Sequence, residues 1–159
     1  MIHIKAPNDY PDIESFSIFL GGSIEMGAAE NWQNRLAADL IGEDVLILNP
    51  RRDDWNSSWA QDPTPGTQFY EQVTWELHAQ DVADLLIYYF DPSTTSPITL
   101  LELGAFGRAE PEAVIVCCPT SYFRYGNVRI FCERYGIELV HSYTELLDYI
   151  KLEIKNADF

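Results

Sequence analysis

The chain has 159 residues, 47% of them hydrophobic and 22% charged, the balance of one globular domain, 1–159, large enough to bury a core. Acids outnumber bases 25 to 10, for a formal net charge of −15. Such a surface repels phosphate backbones and anionic lipid, so extended nucleic acid and membrane are poor partners, although a small anion can still bind where backbone N–H groups or a few arginines converge.

The opening stretch MIHIKAPNDYPDIESF carries no apolar signal-type core, and nothing in the chain reaches ~18 apolar residues, so neither a signal peptide nor a membrane span is expected. Ser17–Leu20 reads as a strand ended by Gly21, Gly22 and Ser23. From about Ala28 to Ile41 the spacing of Trp32, Leu36 and Leu40 predicts a helix. Val45–Leu48 is a second strand, ended by Asn49 and Pro50. The loop RRDDWNSSWAQDPTPGT follows, long enough for a compact domain to suggest a lid. Gln68 to about Asp81 reads as a helix, Leu85–Phe90 as a buried strand, and SPITLLELGAFG as a helix opening at Ser96. Then come a strand Ala113–Cys117, a helix near Gly126–Arg134, a short strand Ile137–Val140 and a helix Ser142–Ile154, with KNADF as a frayed tail or a subunit contact. The three cysteines, Cys117, Cys118 and Cys132, are odd in number and form no Cys-x-x-Cys pair. They read as reduced, mostly buried thiols of a cytosolic protein, with no zinc site.

Strand alternating with helix means a parallel sheet covered on both faces. The expected fold is a three-layer α/β/α sandwich on a five-stranded parallel sheet, flavodoxin-like or Rossmann-like. Its ligand belongs beyond the C-terminal strand ends, where the strand order reverses. Those ends carry Gly21-Gly22-Ser23, Asn49 to Asp54, and Asp91 to Ser96.

One acid, Glu102, sits among Ile98, Leu100, Leu101, Leu103, Ala105 and Phe106. Ser96 and Pro97 suit the N-cap and N1 positions. Ile98, Leu101, Glu102 and Ala105 share one side, and Leu100 and Leu103 cover much of the rest, so this helix is expected to be buried. Burying an unpaired carboxylate costs several kcal/mol or forces protonation. Either Glu102 has a structural partner, or it opens onto a pocket and works there.

A second acid repeats the pattern. Phe69, Val73, Glu76 and Gln80 stack along one side of the preceding helix, while Glu71, His78 and Asp81 face away. Two inward-facing acids flanking the third strand suit glycosyl chemistry, in which one carboxylate attacks or stabilises the anomeric carbon and the other orients the sugar or handles protons. They also suit a metal, but His78 points away.

These residues resemble the nucleoside 2-deoxyribosyltransferase family, in its broad deoxyribosyltransferase-like branch. The resemblance starts at Ile18–Ser23, continues through Trp75-Glu76 and Ala83–Tyr89, and is most specific at Ser96–Gly104. It implies that Glu102, preceding Leu-Gly, is the nucleophile, and that Glu76, where many relatives carry Asp, positions sugar or base. It also implies that Asn127 reaches into a neighbouring subunit's site in a homo-oligomer. Transferases carry an aspartate six residues before the nucleophile. Here that place is Ser96 and the nearest acid is Asp91, while relatives that hydrolyse nucleoside 5′-monophosphates have serine there near the phosphate. The implied activity is cleavage of an N-glycosidic bond with transfer of the sugar to another base, without metal or organic cofactor. The partners are a nucleoside or nucleotide and a nucleobase. Hydrolysis of a 5′-monophosphate and a non-catalytic nucleotide-binding module are the alternatives. An ionised Glu102 calls for donors, a Tyr hydroxyl or backbone N–H, that hold its pKa down.

Other candidates read two ways. Gly21, Gly22 and Ser23 are a tight turn or a ligand contact, without the spacing of a dinucleotide fingerprint. Arg51 and Arg52 beside Asp53 and Asp54 are a solvated cluster or a clamp on phosphate or base. Trp55 and Trp59 stack on a base or pack under their loop. His3, His78 and His141 form no triad, and no serine elbow appears.

Overall fold

The computed structural model describes residues 1–10, 14–24, 29–56 and 58–157. Six strands form one sheet: β1 (Ile2–Lys5), β2 (Ser17–Gly22), β3 (Leu46–Asn49), β4 (Leu85–Tyr89), β5 (Val114–Cys117) and β6 (Glu138–Val140). Among the described residues five α-helices are interleaved: α1 (Trp32–Asp39), α2 (Gln68–Val82), α3 (Pro97–Ala109), α4 (Tyr125–Tyr135) and α5 (Tyr143–Asn156). The expected start of α1 at Ala28, and the tail residues Asp158 and Phe159, lie outside the described residues.

Every strand pairing is parallel, and the order is β1-β3-β2-β4-β5-β6. The fold class is as expected, but the sheet has six strands rather than five. The extra one, β1, has only Ile2 and Ile4 as apolar residues, lies at an edge and pairs with β3 alone. A half-covered edge strand needs no continuous apolar run. The five expected strands by themselves stand in the flavodoxin-like order 2-1-3-4-5, with the reversal at β2, between β3 and β4.

Alternation along the strands divides the core. Ile18, Leu20, Ile47, Ile87 and Ile115 pack against Trp32 and Leu36 of α1 and Leu146 and Ile150 of α5. Phe19, Leu48, Leu86, Tyr88 and Val116 face Ala79 of α2, Leu103 of α3 and Val128 of α4. Helices on both faces bury the central strands completely, which is why these read as unbroken apolar runs. Cys117, Cys118 and Cys132 are free thiols in this interior, and burial pushes each up to about 12. No helix among the described residues is long and apolar enough to cross a membrane.

Local signals start the helices. Asn31 accepts from the Asn34 N–H to open α1, and Thr67 from the Tyr70 N–H to open α2. At α5 the Ser142 hydroxyl accepts from Glu145 N–H, while the Glu145 carboxylate accepts from Ser142 Oγ at 2.8 Å and from the His141 N–H at 3.0 Å. This reciprocal cap satisfies donors that the first helical turn leaves unpaired. Ser142→Ala is expected to cost about 1 kcal/mol and lower Tm by roughly 2–4 °C, read by thermal melting followed by circular dichroism.

α3 departs from expectation. Leu103 is buried against the sheet, but Ile98 is 58% and Leu101 68% exposed. This apolar flank does not pack on the core; it forms one rim of a cleft.

Candidate active site

A cleft of about 660 Å³ opens at the C-terminal ends of β2 and β3, where the strand order reverses. Its floor includes Gly21 and Gly22 from β2 and Pro50 after β3. Phe69, Val73 and Leu77 of α2 form one wall, and Ile98, Leu101 and Ala105 of α3 the other. Trp55 and Gln61 reach it from the loop between β3 and α2. The two walls are therefore apolar and suited to a flat ring, with Gln61, Arg51 and Arg52 among the polar lining residues and the two acids between the walls.

Glu76 and Glu102 both line this cleft. Glu102 is 9% exposed and Glu76 is partly buried. Among the described residues neither meets a cation at ion-pair distance. Their partners are amides. Gln72 Nε2 donates to Glu76 Oε1 at 2.7 Å and to the Pro50 carbonyl at 2.9 Å. Gln80 Nε2 donates to Glu102 Oε1 at 3.0 Å and to the Glu76 backbone carbonyl at 3.2 Å. The Tyr88 hydroxyl donates to Gln80 Oε1 at 2.6 Å. Gln72, Glu76 and Gln80 are spaced by four residues, one helical stripe.

Burial pushes the Glu76 carboxyl up to about 7. Burial, and then the negative charge of Glu76, push Glu102 up to about 8, against the opposing amide of Gln80. The expectation that donors hold the Glu102 pKa down against burial is thus corrected: one neutral amide does not offset desolvation and a like charge together. Near neutrality the pair holds roughly one proton between its two carboxyls.

The remaining candidates divide. Gly21, Gly22, Arg51 and Ser96 line the cleft; Ser23, Asp53, Asp91 and Asn127 do not. Arg51 lends its guanidinium to the carbonyls of Ala29 at 2.9 Å and Glu30 at 2.8 Å, bracing the segment before α1. Arg52 lines the cleft, pairs with Asp54 at 2.8 Å and lies over the Trp59 ring. Asp53 pairs with Lys5 at 2.7 Å. Asp91 accepts from the N–H and hydroxyl of Ser93. Asn127 is exposed on α4. Ser96 occupies the N-cap position of α3 in the left-handed region, φ 45°, and its side chain makes no cap hydrogen bond. Instead the hydroxyls of Ser23, Thr94 and Ser96 bond one another, pinning the end of β2 to the start of α3.

Gln72, Gln80 and Tyr88 were not singled out as site residues from the sequence. The four-residue stripe on α2 was a usable signal for the two glutamines. Tyr88 reads as core within the run Leu85–Phe90, and only the fold brings its hydroxyl under Gln80.

No curated protein sequence matches the chain. A crystal structure of a conserved protein from Enterococcus faecalis V583 superposes with a TM-score of 0.63 at 15% identity, covering 87% of this chain and 99% of that one, a likeness of fold. The sequence model described as nucleoside 2-deoxyribosyltransferase like matches residues 15–122, a span that holds β2 to β5, the cleft and both acids. The chain belongs to the nucleoside 2-deoxyribosyltransferase-like family.

Proposed function

We propose that the cleft cleaves the N-glycosidic bond of a nucleoside or nucleotide, with Glu102 as nucleophile at C1′ and Glu76 as the group that orients the sugar or base. One observation carries this reading: two desolvated carboxylates, one raising the pKa of the other, stand between the apolar walls of a cleft. The sugar lies against the acids and the base against Phe69, Val73, Ile98 and Leu101. As the C1′–N bond breaks, its electron pair leaves with the base, and a proton from solvent neutralises the departing nitrogen. The Glu102 carboxylate stabilises the oxocarbenium-like centre and closes on C1′ as an ester. A second base then takes the sugar in transfer, or water takes it in hydrolysis; the attacking N–H or O–H gives its proton to solvent, the ester bond breaks, and the Glu102 carboxylate is released.

A 5′-monophosphate is the second reading. Ser96 and Thr99 line the cleft at the N-terminus of α3, a place that favours an anion. Assembly belongs to the same proposal: Asn127, exposed on α4 and away from its own cleft, would reach the cleft of a second copy, and a monomeric mass by light scattering would remove this idea.

The test is incubation with each deoxynucleoside and its 5′-monophosphate, with and without a second free base, followed by product analysis. A new nucleoside means transfer, free base alone means hydrolysis, and binding without turnover leaves a non-catalytic module and ends the proposal. The pH profile has a defined sign. Glu102 attacks ionised, so kcat/KM is expected to rise with pH through the region around its pKa of about 8. A limb in the ordinary carboxylate range contradicts the assignment.

A further inference from the structure

We propose that Gln80 and Tyr88 are positioning residues for Glu102, forming a one-way hydrogen-bond relay that Gly21 makes room for. The proposal rests on the reading of Glu102 as nucleophile, but names residues outside the cleft surface: neither Gln80 nor Tyr88 lines it. Both act through Glu102.

The relay is directional because its ends are. Tyr88 is fully buried, and burial together with the charge of Glu102 pushes its hydroxyl far above the ordinary range, so it stays a donor. It donates to Gln80 Oε1 at 2.6 Å. At the other end the Glu76 backbone carbonyl only accepts, and it takes a hydrogen bond from Gln80 Nε2. Both contacts orient the amide the same way, with the second N–H on Glu102 Oε1. A flipped amide would set its oxygen against the Glu76 carbonyl, two acceptors with no hydrogen between them, and would turn the Tyr88 hydroxyl from donor to acceptor. The carboxylate is thus met by a donor that cannot turn away, the preorganisation that a charged nucleophile in a dry site requires.

Gly21 is part of the same device. Paired with Tyr88 across the sheet, it lies under the ring, and a Cβ there would come within 2.8 Å of two ring carbons and 2.9 Å of the Ile87 carbonyl. A side chain at 21 displaces the ring and carries the hydroxyl off Gln80. The titratable groups around Glu102 are Glu76 from α2, Tyr88 from β4, and Arg51 and Arg52 across the cleft. None of these is replaced in Gln80→Leu, so a change in Glu102 there reports the lost amide.

The experiment compares wild type, Tyr88→Phe and Gln80→Leu, each checked for folding by circular dichroism. In protein labelled with ¹³C at the glutamate carboxyl carbon, the Glu102 signal, assigned by its loss in Glu102→Gln, is titrated by NMR. Losing the amide donor is expected to raise the Glu102 midpoint by about one pH unit in Gln80→Leu and by less in Tyr88→Phe. With an active substrate, kcat is expected to fall about 10–100-fold with KM little changed, and the acidic limb to move up in step. Should Glu102 titrate at the wild-type pH in both folded variants, the relay is overturned, whatever happens to activity. Should the midpoint move while no substrate is ever cleaved, the relay stands and the glycosidic reading alone falls. If Tyr88→Phe fails to fold, Gln80→Leu decides by the same measurement.

Discussion

Glu102→Gln is expected to give a protein that no longer turns over substrate and that melts higher than wild type at pH 8. Both effects come from one carboxylate. The amide keeps the size of Glu102 and an oxygen that can accept from Gln80, so the cleft keeps its shape. It is no nucleophile, so no ester forms, and turnover should fall by a factor on the order of 10³ or more. The gain in stability follows from the raised pKa. Below about pH 4.5 the carboxyl is protonated whether the chain is folded or not. Between there and about 8 the folded chain holds a proton that the unfolded chain has released. Stability therefore falls as pH rises through this window, and the loss is complete above it. At about 1.4 kcal/mol per pKa unit, the shift weighs on the order of 2–4 kcal/mol against the fold at pH 8, once local relaxation is allowed for. Melting curves of the two proteins should nearly coincide at pH 5 and separate by several degrees at pH 8. A wild type as stable as Glu102→Gln at pH 8 would show that the carboxylate already has a compensating partner. That would leave it a structural acid.

Gly22→Ala is expected to be the most damaging glycine-to-alanine change among the described residues. Gly22 has φ +144°, a conformation that side chains rarely adopt. A Cβ would lie 2.4 Å from the Tyr89 carbonyl oxygen and 2.8 Å from the Tyr89 nitrogen. Both are main-chain atoms of the neighbouring strand and cannot swing aside. The same carbonyl accepts the Ser23 N–H at 2.9 Å, and on that face Trp32 stacks on the Tyr89 ring with centroids 4.7 Å apart. Room for the methyl comes only by parting β2 from β4 at the centre of the sheet. A cost of at least about 3 kcal/mol is expected, from overpacking and backbone strain together. Denaturant titration reads it as a large fall in midpoint or as loss of folded protein. A variant within about 1 kcal/mol of wild type contradicts the geometry of this strand end.

The parts of the fold that were legible in the sequence are those whose signal is local. Leu85–Tyr89 and Val114–Cys117 are unbroken apolar runs because helices cover both faces of a central strand. β1 was not legible because an edge strand with two apolar residues satisfies its neighbour through its backbone. At the site, Glu102 stood out as an acid among aliphatics, and Glu76 by its place on the inward arc of α2. Their pKa values were not legible, since the repulsion joins side chains 26 positions apart. Nor was the use made of Arg51, whose carbonyl partners lie 21 and 22 residues earlier, or of Asp53, paired with Lys5. The exposure of α3 could not be read from its own composition. A helix apolar on all sides states that something covers it, not which side the sheet takes.

The ring of hydroxyls at the start of α3 differs in kind from the polarised chain beneath Glu102. In each contact among Ser23, Thr94 and Ser96 either oxygen can supply the hydrogen. The Thr94 hydroxyl also has the Asp91 carbonyl as an acceptor at 2.9 Å, and the Ser23 hydroxyl that of Tyr89 at 3.3 Å, so the group can share its protons in more than one way without moving a heavy atom. The cleft thus joins an inflexible electrostatic end, at the carboxylates, to an ambidextrous one at Ser96. Under the proposed reading, a ligand oxygen brought there would meet a hydroxyl able either to donate or to accept, so a terminal hydroxyl and its esterified counterpart could both be greeted by the same serine.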